Sequence, residues 1–275
     1  MKVSIKQFSI WLLMILVMSQ VQANDARHET QQRLMLTGSS TVAPLMAEIA
    51  KRYESLHPEV RIDVQMGGSS RGINDIRQST VDIGMVSRVL KSNEKDLIAY
   101  TVALDGIGLI VHASNPVLGL TQKQVVDIFT GKITNWQQVG GADLPITVVN
   151  KAQGRSTLEL FLQHFELKNR DVKAQVVIGD NQQGIKTVAG NPGAIGYVSI
   201  GAAEFEIKQQ TSIQLLLLNG ESASVKAVAQ GSYSLSRPLN LIVQKQPEGL
   251  VKQFIAYSMS AEVADLVAAQ FFVVP

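Results

Sequence analysis

Cysteine is missing from all 275 residues. That absence excludes a disulfide framework, a thiol nucleophile, cysteine-held metal and the acylated cysteine of a lipid-anchored protein. Histidine is nearly as scarce, with four residues. His28 lies near the start, His57 precedes a proline at a helix end, His112 ends an apolar strand and His164 sits mid-helix, so none has the surroundings of a catalytic triad. HxxxH, CxxC and GxxxxGK[ST] spacings are absent too, which leaves no metal site or P-loop to name. An excess of either charge is also lacking, at 25 basic against 23 acidic residues. Two of the bases, Lys2 and Lys6, fall in a leading segment with no acid, so residues 24–275 carry no formal net charge. A neutral chain gives no argument for nucleic acid as a partner. The longest apolar run, "FSIWLLMILVM" at 8–18, is too short to span a bilayer well. With lysines before it and "VQA" after it, it has the form of a secretory signal, with cleavage expected after Ala23. The remainder is expected to be a soluble, exported chain held together by its core alone.

Aromatics make up only 5 % of the chain, and the abundant Ala, Val, Ile and Gly suit an α/β fold. The pattern runs strand, loop, helix, repeatedly. "RLMLTG" reads as a strand, and Val42, Leu45, Met46, Ile49 and Tyr53 make one helix face that Pro58 stops. "VRIDVQMGG", "VDIGMVS", the long apolar 101–116, "LPITVVNKAQG", "NPGAIGYVSI" and "SRPLNLIVQK" read as further strands. "TQKQVVDIFTG" reads as a helix with a Thr cap, and the C-terminal stretch supplies one or two more helices. Alternating strands and helices predict a mostly parallel sheet.

Three loops share a composition: "GSST" at 38–41, "GSSR" at 68–71 and "GRST" at 154–157. Each ends a strand and opens a helix. The first helical turn offers unpaired N–H groups and a partial positive charge, glycine allows close approach, and hydroxyls add rotatable donors. Taken singly, each loop is an ordinary helix cap. Taken together, with Arg71, Arg88 and Arg155 beside them, they make a candidate oxyanion site at the carboxyl ends of parallel strands. Asp63, Asp75 and Asp82 read as solvated or structural acids.

The stretches "TGSSTVAPLMAEIAKRY", "GGSSRGINDI", "VDIGMVSR", "DGIGLIVHASNPV", "DIFTGKITNWQQVGG", "NPGAIGYV" and "SRPLNLIV" occur in this order. On these the chain resembles the periplasmic phosphate-binding proteins of phosphate-specific ABC transporters over nearly all of residues 24–275. The resemblance implies an α/β, two-lobe periplasmic-binding-protein fold of type II, with the ligand cleft between two mixed-sheet lobes. It implies a first lobe of 24–112 plus 236–275 and a second of 113–235, with hinges near His112 and Ser236. It implies phosphate contacts from Ser40 and Thr41, from Ser69 and Ser70, from Ser87 and Arg88, and from Arg155, Ser156 and Thr157.

Two positions depart from the longest-known members. Lys151 and Gln153 stand where those carry an Arg–Asp pair, and Ser87 stands where they carry an acceptor aspartate. The implied function is capture of inorganic phosphate in the periplasm and delivery to an inner-membrane ABC permease. The protein would act as a monomer, without catalysis, cofactor, metal or nucleic acid. Without the acceptor aspartate, another tetrahedral oxyanion such as sulfate stays open, as does a secreted sensor or interaction protein.

Overall fold

The computed structural model describes residues 31–275. The expected signal segment, 1–23, and the start of the expected first lobe lie outside the described residues. The first half alternates β1 (Gln32–Gly38), α1 (Ala43–Leu56), β2 (Val60–Met66), α2 (Ser69–Arg77) and β3 (Ile83–Val86), then runs into β4 (Ile98–His112). The middle contributes β5 (Gly119–Leu120), α3 (Gln122–Phe129), β6 (Thr147–Lys151), α4 (Ser156–His164), β7 (Val176–Ile178), α5 (Asn181–Ala189), β8 (Ala194–Ser199), α6 (Ile200–Lys208), β9 (Ile213–Leu215), β10 (Leu217–Leu218) and α7 (Val225–Ala229). The chain closes with β11 (Ser236–Val243), α8 (Gly249–Ser258) and α9 (Ala264–Ala269).

Local chemistry accounts for the clearest elements. In α1, Leu45, Met46, Ile49, Ala50 and Tyr53 form the buried face, and the helix ends at His57, before Pro58. In α3, Thr121 Oγ1 accepts the Gln124 N–H while Gln124 Oε1 accepts the Thr121 N–H, a reciprocal cap of the expected kind.

The sheet is mixed rather than mostly parallel. Its strand order is β2-β1-β3-β11-β4-β8-β6-β7, with β9 also on β4. β1 is parallel to β2 and β3, and β6 is parallel to β7 and β8, but β11 runs antiparallel to both β3 and β4. The difference comes from β11, a C-terminal strand that inserts between two strands made much earlier. β4 belongs to both halves: its residues 98–106 pair with β11, and from Ile107 onward it pairs with β8 and β9.

The apolar packing divides at the same place. One cluster gathers Leu36, Met46, Ile83, Val102, Ala103, Leu239, Leu241 and Phe254. A second gathers Ile107, Leu109, Phe129, Trp136, Phe161 and Tyr197, where Phe161 stacks on Tyr197 at 3.9 Å between ring centroids. Each fully buried Leu, Ile or Phe contributes about 1.5–3 kcal/mol, so each half has a core of its own. The change of partner falls at Gly106–Ile107, inside β4, while His112 sits at the far end of that strand.

Candidate anion-binding site

The ends of β1, β2 and β3 in one half face the ends of β6 and β7 in the other. At Gly38 (φ +135°) a Cβ would lie 2.3 Å from the Met85 carbonyl oxygen, and at Gly68 (φ +95°) one would lie 2.7 Å from the Gly154 carbonyl oxygen. Glycine is thus required where the loops touch. The Ser70 N–H donates to the Gly154 oxygen at 3.2 Å and ties the second loop to the third across the halves.

Helix capping does not account for the hydroxyls of the second and third loops. α3, α5, α6 and α7 have side-chain caps from Thr121, Asp180, Ser199 and Ser224. At α2 and α4 the cap positions are Gly68 and Arg155, neither of which makes a side-chain cap bond. In the first loop Ser39 Oγ accepts the N–H groups of Thr41 and Val42, which leaves Ser40 and Thr41 uncommitted to that task.

The hydroxyls converge on a residue that the loop pattern does not contain. Arg237, on β11, has a side chain only 1 % exposed. Its Nη1 donates to Thr157 Oγ1 at 2.9 Å and lies 3.4 Å from Ser87 Oγ, while Nη2 donates to Thr41 Oγ1 at 3.2 Å. Asp105, on β4, supplies its counter-charge: Nε and Nη2 reach Asp105 Oδ2 at 3.2 and 2.8 Å. The other oxygen, Oδ1, takes the Gly201 N–H at 3.2 Å.

A fourth loop joins from the start of α5. Asn181 Nδ2 donates to Thr41 Oγ1 at 3.2 Å, and its Oδ1 accepts from Lys151 Nζ at 2.9 Å and the Ser199 N–H at 3.4 Å. Burial and then the charge of Arg237, with Arg155 adding to both, push the Lys151 amine down to about 7 against the opposing pull of Asp180.

The expected residues divide into groups. Thr41, Ser87 and Thr157 touch the Arg237 guanidinium. Ser69 is buried one step away, where its Oγ accepts the Ser87 N–H at 3.3 Å. Ser156 Oγ and Arg155 Nε are buried and have no protein partner. Ser70 contributes its backbone. Ser40 is half-buried and lines a cleft of about 350 Å³ with Asp180, Gln182, Phe205 and Phe272.

Arg88 is turned away from an anion-binding role. Its Nη1 and Nη2 grip Glu94 at 2.7 and 2.8 Å, and its Nε pairs with Glu159 at 2.9 Å. Burial works against its charge, and the two carboxylates more than offset that. Arg71 is exposed and pairs with Asp75, which also accepts from Thr37, while Asp82 accepts the Met35 N–H, so both acids are structural.

Sequence reasoning passed over Arg237, Asp105 and Asn181. The available signal was a base and an acid embedded in apolar strands, "SRPLNLIV" and "VALDGIGLIV", where a charge is rare unless paired. It also passed over Gly68-Ser69-Ser70-Arg71-Gly72, which has the GxSxG spacing of a nucleophile elbow. Among the described residues Ser70 Oγ has no hydrogen bond to a histidine; the Ser–His contact present, His112 to Ser114 at 2.8 Å, is a local exposed turn.

This arrangement suits a small, desolvated oxyanion. Helix starts from both halves, three hydroxyls and a buried guanidinium meet in one place. Among the described residues no group of three or more His, Cys, Asp or Glu side chains could hold a metal ion.

Comparisons with known proteins agree with that chemistry. The family model of the PBP superfamily domain matches residues 24–262. Phosphate-binding protein PstS of Bacillus subtilis is 28 % identical over 234 residues, 84 % of this chain and 76 % of that protein. A solved structure from Clostridium perfringens, described as a phosphate ABC transporter substrate-binding protein with bound phosphate, is 33 % identical with a TM-score of 0.82 and covers 89 % of this chain and all of its own. An ABC-type phosphate transport receptor from Vibrio cholerae is 31 % identical with a TM-score of 0.73, over 89 % of this chain and 100 % of that one.

Proposed function

The chain belongs to the PBP superfamily, among the phosphate substrate-binding proteins of ABC transporters, and on that premise we propose that it captures inorganic phosphate between its two lobes. The observation that carries the reading is Arg237, a buried guanidinium shared between one carboxylate and the hydroxyls of Thr41, Ser87 and Thr157 from three separate loops. In this reading Thr41, Ser69, Thr157 and Arg237 hold the anion. Ser156 Oγ and Arg155 Nε supply further donors, and Ser40, Ser70 and Ser87 shape the walls.

The lobes meet where β4 changes partners and where β11 begins, and they close on the ligand by bending there, as binding proteins do. The first lobe takes the N-terminal strands with β11, α8 and α9, and the second takes the middle of the chain. The protein works in the periplasm as a monomer, after loss of residues 1–23, and delivers phosphate to an inner-membrane permease.

The missing acceptor at Ser87 bears on which ionic form is bound. Asp105, the carboxylate that touches the cluster, is already committed to Arg237 and the Gly201 N–H. A proton on the ligand therefore meets hydroxyl oxygens rather than a free carboxylate, which favours the dianion, with one proton, over the monoanion, with two, and weakens the distinction from sulfate. The test is competition calorimetry of phosphate against sulfate with wild type and Thr157→Ala. Wild type should prefer phosphate, and the variant should bind it about ten- to a hundredfold more weakly, the loss of one charge-assisted hydrogen bond. Sulfate bound more tightly than phosphate, or equal affinity in the variant, would overturn the assignment.

A further inference from the structure

Lys151 ends β6 only 3 % exposed, and its amine donates to an amide oxygen, that of Asn181. Among the described residues no carboxylate lies within 4.0 Å of it. Groups from five other segments face Lys151: Arg237 from β11, Arg155 from the loop before α4, Asp180 and Asn181 from the start of α5, Tyr197 from β8, whose hydroxyl accepts the Lys151 backbone N–H, and Thr41 through Asn181. Two of these are cations against one anion, Asp180, and the Tyr197 hydroxyl is held in its neutral form by burial and donates to Asn150. A buried ammonium among cations, with an amide beside it, is disfavoured. The direction of its titration agrees: it is lowered to about 7. A double negative charge placed beside the Thr41 hydroxyl, which Asn181 links to Lys151, reverses the balance, because an opposite charge restores the ammonium.

We propose that Lys151 is a specificity-determining residue of this site, whose amine takes up a proton from solvent when a dianionic oxyanion settles on the Arg237, Thr41 and Thr157 cluster. The proton binds the Nζ lone pair, no covalent bond of the anion changes, and one positive charge appears beside the cluster. Capture is then coupled to proton uptake, and the dianion is selected over the monoanion. The inference rests on the phosphate reading.

The experiment is calorimetric titration with inorganic phosphate at about pH 8.5, in two buffers of different ionisation enthalpy, which counts protons through linkage. At that pH phosphate is already a dianion, so the ligand contributes almost none. Wild type should take up about one proton per phosphate bound. Lys151→Arg, which stays charged, should bind with almost no uptake. Lys151→Met should take up none and bind at least about tenfold more weakly, as loss of a charged partner requires. Tight binding by wild type with no proton taken up overturns this inference and leaves the phosphate reading standing, as does Lys151→Arg taking up as much as wild type. Wild type that binds no phosphate overturns the function reading and this inference with it.

Discussion

Two arginines sit buried at the junction of the lobes, and their surroundings differ in kind. Arg88 is enclosed by two carboxylates, with Glu94 bidentate from its own lobe and Glu159 reaching across from α4. Arg237 has one carboxylate, Asp105, and otherwise faces hydroxyls. A guanidinium saturated with negative charge has nothing left for a ligand, so Arg88 fastens structure. A guanidinium with donors spent on neutral hydroxyls is electrostatically unfinished, and an anion that displaces those weak partners gains charge-assisted bonds. The number of carboxylates around a buried arginine, rather than its burial, separates a clasp from a ligand.

The sharpest test replaces each arginine with methionine. Arg237→Met should abolish measurable phosphate binding, a loss of at least about a hundredfold. It should also destabilise the fold by about 3–5 kcal/mol, because Asp105 is left charged and buried. Adding Asp105→Asn should recover most of the stability and none of the binding, as read by urea unfolding and calorimetry on the same samples. Arg88→Met should cost a similar 3–5 kcal/mol by stranding Glu94, while folded protein binds phosphate within about threefold of wild type. Loss of binding in folded Arg88→Met would erase the distinction.

The regions should also respond to pH with the same sign but in different windows, because both groups release their proton more readily in the fold than in the unfolded chain. Burial pushes the Glu94 carboxyl up, but the Arg88 bonds and the Lys91 N–H hold it below its ordinary value. A depressed acid stabilises the fold above its unfolded pKa, and that contribution is lost as pH falls through the folded one. Lys151 is a base shifted from 10.5 down to about 7. Between those values the unfolded chain holds a proton that the folded chain has released, so its contribution to stability rises with pH across that window. The wild-type minus Lys151→Met difference in urea midpoint should therefore grow from pH 7 toward 10.5, and the wild-type minus Glu94→Gln difference should shrink as pH drops into the acid range. A flat difference for Lys151 would mean that its amine keeps its charge in the fold.

The smallest effect belongs to Glu159, which is one-quarter exposed and holds Arg88 and Lys91 at 2.9 and 2.8 Å across the lobes. Partly solvated pairs contribute about 0–1 kcal/mol, so Glu159→Gln should lower phosphate affinity by less than about fivefold, chiefly through faster release in stopped-flow traces.

Much of this site could be read in the chain, and the failures have a common cause. Gly38, Gly68, Thr41 and Thr157 announce themselves locally, because a strand end, a glycine and a hydroxyl lie within four residues. Arg237 and Asp105 are 132 positions apart, so their apolar neighbours mark each as a charge that needs a partner but nothing local says which partner, or that three hydroxyls join them. Arg88 was legible as a cation beside a loop, but the Glu159 that neutralises it arrives from 71 residues away. Local pattern predicted α/β alternation correctly, yet it holds no sign that β11 divides β3 from β4. The family resemblance implied mixed-sheet lobes and a C-terminal segment that returns to the first lobe, but the place of β11 between β3 and β4 is a finding of the structure.

The insertion of β11 sets an order of events as the chain is made. Thr101 bonds to Asn240, 139 residues later, so the sheet of the first lobe lacks the strand between β3 and β4 until the second lobe has been synthesised. Until then β3 and β4 present open edges, which resist completion and invite pairing with other chains. If the chain is exported, as proposed above, it gains from this delay, because its leading part has no complete sheet to unravel. The lobe that is made first is finished last.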